Sequence, residues 1–233
     1  MNDPKYRTAL IVGVGAGLSA SLARTFSKAG MAIALAARRA GELDALASEV
    51  HGKAFACDAT DLAQVAKLVA DVENELGALD VVVYNASYRT RGPFVDLDPP
   101  EVAKSIAVSA YGGFLVAQQA AKRMVPRRRG AILFTGASAS VKGYAQSAPF
   151  AMGKFALRGL AQSMARELSP QGIHVAHVVI DGGIRSARRP DPPDRPASTL
   201  DPDAIAQTYL DLLRQDRSTW AWEIELRPWV EKF

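Results

Sequence analysis

A glycine-rich segment near the start of the chain has the spacing of a phosphate-binding turn. Residues 13–19 (GVGAGLS) follow an apolar run at residues 8–12 and lead into a helix-like segment at residues 19–29. Glycines let the backbone turn sharply towards a pyrophosphate, whose charge is attracted by the free N–H groups of a helix N-terminus. A glycine cluster alone also fits a plain tight turn, but its place between the first strand and the first helix predicts nucleotide binding. The residues assigned to this turn are Gly13, Gly15, Ala16, Gly17, Leu18 and Ser19.

Two arginines end the second apolar run and bear on the choice of nucleotide. Residues 31–37 are followed directly by Arg38 and Arg39, and no acidic residue occurs at this strand end. An acidic residue there would hydrogen-bond the ribose hydroxyls of NAD, whereas a guanidinium forms charge-assisted hydrogen bonds with a 2′-phosphate. The sequence therefore favours NADP(H) over NAD(H), with Arg38 as the phosphate contact and Arg39 assisting. A solvated arginine pair in a loop is the alternative.

The residue types used for metal or hydrolytic chemistry are not clustered. His174 and His177 are three residues apart in a predicted strand, so they point to opposite faces. Cys57 is isolated and the carboxylates form no ligand pattern, so no metal site is predicted. The nucleophile-elbow pattern GxSxG is also absent, which argues against Ser-His-Asp hydrolysis. The histidines are interpreted as structural.

The elements that must position these residues alternate between short apolar runs and longer amphipathic segments. Continuous apolar runs indicate strands buried on both faces, and strand–helix alternation predicts a doubly wound sheet with right-handed crossovers. We therefore predict an α/β, single-domain, Rossmann-type fold over residues 1–233, with a parallel sheet of about seven strands and helices on both faces. The predicted strands are residues 8–12, 31–37, 53–57, 79–84, 131–135, 173–180 and 220–227. The predicted helices are residues 19–29, 41–50, 61–76 (capped by Asp61), 101–124 (interrupted at Gly112-Gly113), 149–168 and 202–214.

Composition limits the possible partners. The 233 residues carry a net charge of +4, with arginine-rich stretches at residues 127–129 and 185–195 that are typical of solvated loops. No nucleic-acid motif accompanies this charge. No apolar stretch approaches the roughly 18–20 residues of a membrane-spanning helix, and residues 1–5 show no secretory pattern. A single cysteine fits a reducing compartment. We expect a cytoplasmic protein without nucleic-acid or membrane partners.

The motifs along the chain resemble those of the short-chain dehydrogenase/reductase family, in order and in spacing, over essentially the whole sequence. Gly13-x-x-x-Gly17-x-Ser19 resembles the family's TGxxxGxG turn, residues 57–61 (CDATD) its adenine-contacting stretch, and residues 85–87 (NAS) its NNAG turn. Residues 169–175 resemble its link into the sixth strand, with Asp181-Gly182 in place of its PG turn. An arginine at the position of Arg38 accompanies NADP(H) in the family. The resemblance implies further cofactor-binding residues, namely Asp58, Ala59, Asn85, Ala86, Ser87, Lys154, Gly182, Gly183 and Ile184.

The same resemblance shows that catalytic groups are missing. In the family, a tyrosine transfers a proton, a lysine one turn later binds the nicotinamide ribose, a serine polarises the carbonyl and an asparagine holds a relay water. Lys154 keeps its position, but Phe150 takes that of the tyrosine. The serine position falls at Ala137 and the asparagine position at Ser109, so three of the four polar roles have changed.

Several hydroxyls near the predicted cleft are candidate substitutes. Ser138 lies one residue beyond the serine position, so a one-residue shift of the loop would restore a serine there. Tyr144 lies in the loop before Phe150 and could reach inward, although such an aromatic residue also fits packing or a substrate wall. The catalytic candidates are therefore Lys154, Ser138, Tyr144, Ser109 and Phe150, with Ser140, Ser147, Tyr88 and Tyr111 as further hydroxyls nearby.

Two functions stay open on this basis. One is an NADP(H)-dependent oxidoreductase that transfers hydride between nicotinamide and a carbonyl or alcohol through altered catalytic groups. The other is a catalytically degenerate family member that binds nucleotide as a sensor or assembly subunit without turnover.

The resemblance also indicates the substrate loop and the assembly. Residues 181–201 correspond to the family's variable substrate lid, whose arginines indicate an anionic small-molecule substrate or else a solvated loop; they are Arg185, Arg188, Arg189 and Arg195. Two long helices resemble the pair that forms a four-helix contact in the family, which implies a homodimer or homotetramer. Its apolar surface would come from those of Phe155, Leu157, Leu160 and Met164 that do not face the sheet.

Overall fold

Seven parallel strands form one sheet in a computed structural model that describes residues 6–187 and 189–230. The strand order is β3-β2-β1-β4-β5-β6-β7, which confirms the predicted doubly wound α/β fold. Residues 1–5, considered above for a secretory pattern, and Arg188 lie outside the described residues. The strands are β1 Thr8–Val12, β2 Ala32–Ala37, β3 Lys53–Ala56, β4 Val81–Tyr84, β5 Gly130–Thr135, β6 Ile173–Ile180 and β7 Glu223–Leu226.

Helices cover both faces of the sheet, and each face has its own apolar core. The helices are α1 Leu18–Lys28, α2 Asp44–Glu49, α3 Leu62–Leu76, α4 Pro99–Ile106, α5 Gly112–Met124, α6 Ala148–Leu168 and α7 Pro202–Arg214. Phe26 of α1 and Tyr209 of α7 belong to the core on one face, and Leu68 of α3 and Leu157 of α6 belong to the core on the other. The central strands β1 and β5 are buried along their whole length, because helices cover the apolar side chains on both of their faces. Within the described residues, no helix is long and apolar enough to span a membrane.

The helix predicted over residues 101–124 differs from the prediction at its interruption. The structure has α4, a π-helical turn over Ala107–Tyr111, and then α5, so the irregularity precedes Gly112-Gly113. Gly112 and Gly113 are helical, and a Cβ there would lie 2.5 Å from the Tyr84 hydroxyl and 2.7 Å from Leu157. Glycine is needed at these two positions because neighbouring residues pack too closely for a side chain, whereas the sequence had indicated a break in the helix.

Other element ends shift by a few residues. The helix predicted over residues 41–50 opens with a 3-10 turn at Ala40–Leu43 before α2, and the last strand is shorter than residues 220–227. Asp61 caps α3 as predicted, since its side chain accepts a hydrogen bond from the backbone N–H of Gln64. The strand and helix order along the chain is the predicted one.

The carboxyl ends of β1, β4, β5 and β6 meet at one edge of the sheet. The chain reverses its winding direction between β1 and β4, and in open α/β sheets a crevice for ligands forms at such a switch point. The loops that follow these strands carry the candidate site residues.

Candidate active site

The glycine turn after β1 is held against the loop after β4. Gly13 has a φ of +85°, and a Cβ there would overlap the backbone of Ala86. Ser19, which replaces the last glycine of the family pattern, donates a hydrogen bond to the Gly13 carbonyl (3.2 Å) and accepts one from Asn85 Nδ2 (2.6 Å). Gly15 and Gly17 face open space. The turn is therefore anchored at its base and open above, as a phosphate cradle requires.

A cavity of about 420 Å³ extends from this turn along the ends of β2 and β3. Arg38, Arg39, Asp58 and Ala59 line it, together with Ala86. Hydrogen bonds from the backbone and hydroxyl of Thr60 (2.9 and 2.7 Å) hold the pKa of the Asp58 carboxyl below its usual value, and Arg38 adds to this. Asp58 is therefore an ionised acceptor beside Arg38.

The two arginines of this cavity differ in their partners. Arg39 is exposed and forms an ion pair with Glu42 at 2.5 Å. Arg38 has no carboxylate within ion-pair distance among residues 6–187 and 189–230. Its guanidinium is the one left available to an anion.

A larger cleft of about 1040 Å³ lies on the other side of the turn, at the ends of β4, β5 and β6. It shares Gly13, Asn85 and Ser87 with the smaller cavity. Its lining also includes Lys154, Phe150, Ser138, Tyr144, Gly182 and Ile184. The predicted cofactor and catalytic residues thus lie along one edge of the sheet, although Gly183 and Ser109 line neither cavity.

Lys154 lies at the floor of the larger cleft. Helix α6 holds it 3% exposed, and its Nζ donates a hydrogen bond to the Thr135 carbonyl at 2.7 Å. Burial lowers the pKa of this ammonium to about 8, and the charge of Arg89 adds to the effect. An ammonium carries three donors, so two remain for other acceptors such as ribose hydroxyls.

Phe150 lies one helical turn before Lys154, and its ring carries a guanidinium on one face. Arg89, in the loop after β4, places its Cζ 4.2 Å from the ring centroid. Lys154 Nζ is 5.7 Å from the same centroid. Arg89 could not be identified from the sequence, because no motif marks it and the contact joins residues far apart in the chain.

Ser138 lines the cleft next to a buried carboxylate. This carboxylate, Asp181, pairs with Lys142 (3.1 Å) and Arg227 (3.3 Å). Burial raises the pKa of Asp181, yet Ser138 and Lys142 outweigh it and the net pKa is lowered. Ser138 therefore lies in the cleft beside an ionised Asp181.

Ser109 does not lie in the cleft lining. It is buried, accepting a hydrogen bond from the Tyr88 backbone N–H (3.3 Å) and lying 3.4 Å from the Tyr88 carbonyl. It therefore fixes the loop after β4 in place of a relay water.

Of the other candidate hydroxyl groups, some are buried or hydrogen-bonded elsewhere, and one lies in the larger cleft. Ser140 accepts a hydrogen bond from the Ala137 backbone, and Ser147 is buried. The Tyr88 hydroxyl donates to Glu101, and Tyr111 stacks on Phe114 at the surface. Tyr144, half exposed, is the one tyrosine among the described residues that lines the larger cleft.

The arginines of residues 181–201 are mostly paired within the loop. Arg185 forms ion pairs with Asp201 and Asp191, and Arg195 lies 3.9 Å from Asp194. Arg189 lies across Gly183, where a Cβ would be 2.9 Å from its Nη1, and it lines the cleft. The predicted anionic attraction of this loop therefore rests on Arg189 in the described part of the chain.

His174 and His177 make contacts on opposite faces of the sheet. His174 stacks on Trp220 on one face of the sheet, whereas His177 faces α6 and donates from Nδ1 to Glu223 (3.0 Å). Burial lowers the pKa of His177 to about 4, so its ring is neutral. Among the described residues, no group of three His, Cys, Asp or Glu side chains is placed to hold a metal ion.

Fold and site together define a nucleotide-binding protein of the Rossmann type. The family model for short chain dehydrogenases matches residues 7–190, so the chain belongs to the short-chain dehydrogenase/reductase family of oxidoreductases.

Similar proteins support this membership. A short-chain dehydrogenase structure from Rhodopseudomonas palustris is 31% identical, covers 96% of this chain and 99% of its own, and has a TM-score of 0.83. A metagenomic short-chain oxidoreductase in complex with NADP is 26% identical over 95% of this chain and 97% of its own, with a TM-score of 0.82. An inactive 2-(S)-hydroxypropyl-CoM dehydrogenase 2 from Xanthobacter autotrophicus is 34% identical over 167 residues, 71% of this chain and 72% of that protein.

Proposed function

We propose that the protein is an NADP(H)-dependent oxidoreductase that transfers hydride between nicotinamide and a carbonyl or alcohol substrate, using altered proton-transfer groups. The observation that carries this proposal is the continuous pair of cavities from Arg38 past the glycine turn to Lys154. Their lining fits a dinucleotide, because it offers an unpaired guanidinium at one end, an open phosphate turn in the middle and a buried ammonium at the other. The structure of the metagenomic short-chain oxidoreductase, which holds NADP, supports NADP(H) as the ligand of these cavities.

Each end of the cofactor has its own set of residues. Arg38 would bind the 2′-phosphate, and Asp58 with Ala59 would lie beside the adenine. The turn of Gly13, Gly15, Ala16, Gly17, Leu18 and Ser19 would hold the pyrophosphate, while Asn85, Lys154 and the Gly182–Ile184 segment would lie along the nicotinamide half. NADPH, when bound, supplies the hydride.

Two groups remain as proton donors to a substrate oxygen. Lys154 has a pKa of about 8, close enough to neutral pH for its ammonium to give up a proton at small cost. Tyr144 offers an exposed hydroxyl in the same cleft. Ser138 is the weaker candidate, because the neighbouring ionised Asp181 competes with a substrate oxygen for its proton.

A second function, nucleotide binding without turnover, has one observation in its favour. Phe150 has no hydroxyl, and Arg89 covers its ring. The relative named as inactive, at 34% identity, shows that a similar sequence occurs without the activity of its group. In this case the cofactor residues would serve a sensor or an assembly subunit.

Cofactor titration with a matched pair of variants tests the proposal. NADPH and NADH are titrated into the wild type, Arg38→Ala and Arg39→Ala, with energy transfer from tryptophan to nicotinamide as the signal. We expect wild type to prefer NADPH, and Arg38→Ala to raise the Kd for NADPH about 10- to 100-fold, which corresponds to a hydrogen bond to a charged group. The Kd for NADH should stay nearly constant, and Arg39→Ala should have a smaller effect because Glu42 already pairs with Arg39. Absence of binding of both nucleotides to the wild type would contradict the proposal.

A further inference from the structure

The larger cleft contains more cationic side chains than the acidic side chains of the described residues pair with. Its lining includes four arginines, Arg24, Arg89, Arg185 and Arg189, besides Lys154. Arg24 pairs with Glu49, and Arg185 with Asp201. Arg89 and Arg189 have no carboxylate within ion-pair distance among the described residues, where Asp203 is the one acidic residue of the lining.

Arg89 is held in place by packing and by the loop that precedes it. Its guanidinium carbon lies over the buried Phe150 ring, 4.2 Å from the centroid, in a cation–π contact, and its N–H groups donate no hydrogen bond within the described residues. The preceding residue, Tyr88, is fixed through its backbone, because its carbonyl accepts a hydrogen bond from Ser105 (2.9 Å) and its N–H donates to Ser109. A pre-positioned guanidinium loses less conformational freedom on binding than a mobile one.

The two arginines and Lys154 repel one another. Burial lowers the pKa of Arg89 first, and the charges of Arg91 and Arg189 lower it further. Arg89 in turn lowers the pKa of Lys154. Like charges gathered in a cleft are relieved by an anion, and a planar guanidinium matches the paired oxygens of a carboxylate or phosphate.

We propose that Arg89 and Arg189 form an oxyanion-binding subsite that selects substrates carrying a carboxylate or a phosphate, with the Phe150 ring as the platform for Arg89. In this proposal Phe150 has a role of its own, although it lacks the hydroxyl of a tyrosine. Its apolar ring holds the guanidinium of Arg89, which determines specificity. The subsite lies in the same cleft as Lys154 and Gly182. A substrate held there by its carboxylate or phosphate would therefore have its carbonyl or alcohol group close to the nicotinamide half of the cofactor. This inference rests on the proposed function for the reaction that follows binding.

Binding of matched charged and neutral probes to the protein, measured without and with saturating NADP⁺, tests the subsite without relying on turnover. The pairs are 4-formylbenzoate with its methyl ester, levulinate with its methyl ester, and dihydroxyacetone phosphate with dihydroxyacetone; affinities are measured by calorimetry. The first two pairs test a carboxylate and the third tests a phosphate. Variants are Arg89→Ala and Arg189→Ala, with Arg91→Ala as the matched control because Arg91 is an exposed arginine outside the cleft lining.

We expect the wild type to bind the charged member of at least one pair 10-fold or more tightly than the neutral member. Arg89→Ala should reduce that ratio to about one, Arg189→Ala should reduce it at least threefold, and Arg91→Ala should leave it within twofold. A wild-type ratio near one in all three pairs, or no binding of any probe, overturns the inference, as does a preference that survives both alanine variants. The NADPH titration is a separate measurement, so loss of nucleotide binding would count against the proposed function and not against the subsite.

Discussion

At the scale of single residues, the proposed site combines a lining suited to a dinucleotide with a changed set of polar groups around Lys154. Lys154 keeps its buried place and its contact with Thr135, whereas Phe150 offers a ring face to Arg89 in place of a hydroxyl. Of the serine candidates from the sequence, Ser138 lies beside Asp181, and Ser109 hydrogen-bonds to the Tyr88 backbone. The chemistry open to the cleft therefore depends on Lys154, Tyr144 and the two unpaired arginines.

Restoring the hydroxyl of residue 150 tests whether the rest of the site is built for hydride transfer. Phe150→Tyr should raise kcat/KM for NADPH-dependent carbonyl reduction by about 10²-fold or more, because a positioned proton donor contributes on the order of 10²–10⁴-fold. The measurement is NADPH oxidation across a carbonyl panel. Phe150→Leu is the control, since it changes the ring without adding a hydroxyl and should give no gain. If the tyrosine variant gains nothing with any substrate, the site lacks the remaining chemistry and nucleotide binding without turnover is favoured.

At the scale of elements, β6 and β7 are joined by a polar cluster in which His177 is buried and Glu223 and Arg158 are partly exposed. Glu223 accepts hydrogen bonds from Arg158 of α6 (2.6 and 2.7 Å) and from His177 of β6 (3.0 Å). The His177 ring also packs against Gly136, where a Cβ would collide with it. This cluster fixes the end strand against α6, the helix that carries Phe150 and Lys154.

The cluster makes stability depend on pH in a defined window. His177 has a pKa of about 4 in the folded protein, against 6.5 for an ordinary histidine, mainly because burial disfavours its charge. Between pH 6.5 and 4 the unfolded chain binds a proton at this position that the folded chain does not, so the free energy of unfolding falls as the pH falls. Across this window the free energy of unfolding should fall by roughly 3 kcal/mol, because each unit of pKa difference corresponds to about 1.36 kcal/mol.

Urea unfolding of variants at several pH values between 4 and 7.5 measures this contribution. His177→Gln removes the titrating group, so its deficit relative to the wild type should shrink as the pH falls through the window. His51→Asn is the control, an exposed histidine with a φ of +50° that asparagine tolerates, and its curve should run parallel to that of the wild type. If the free energies of unfolding of His177→Gln and the wild type changed in parallel with pH, His177 would not be a buried, neutral histidine in the folded protein.

At the scale of the whole molecule, an apolar surface remains on the helices that pack beside the cleft. Tyr111 and Phe114 near the start of α5, and Met152 and Phe155 of α6, are between 39% and 51% exposed. Of the residues expected to form this surface, Leu157 is fully buried, and Leu160 with Met164 packs against the core, so these three face inward more than the sequence indicated. Phe155 remains exposed. We propose that two copies of the chain associate through this surface.

Charge placed on this surface should separate the copies. Phe155→Glu is expected to convert a dimer or tetramer to a smaller species, because each large apolar side chain buried at a contact contributes about 1.5–3 kcal/mol and a buried unpaired carboxylate opposes it. Light scattering after size-exclusion chromatography gives the mass. Phe94→Glu is the matched control, an exposed phenylalanine in the loop after β4, and should leave the mass unchanged. A monomeric wild type, or an unchanged mass for Phe155→Glu, would contradict the proposed contact.

The sequence by itself determined the strand order along the chain, the glycine turn at the end of β1 and the spacing of Phe150 and Lys154. These features are local, since apolar runs, caps and glycines act through neighbouring residues. The π-helical turn before Gly112 and the contact of Arg89 with Phe150 were decided only by the tertiary structure. The Arg89–Phe150 contact joins a loop and a helix that are distant in the chain and meet only when parallel strands bring their carboxyl ends to one edge, so no local pattern encodes it.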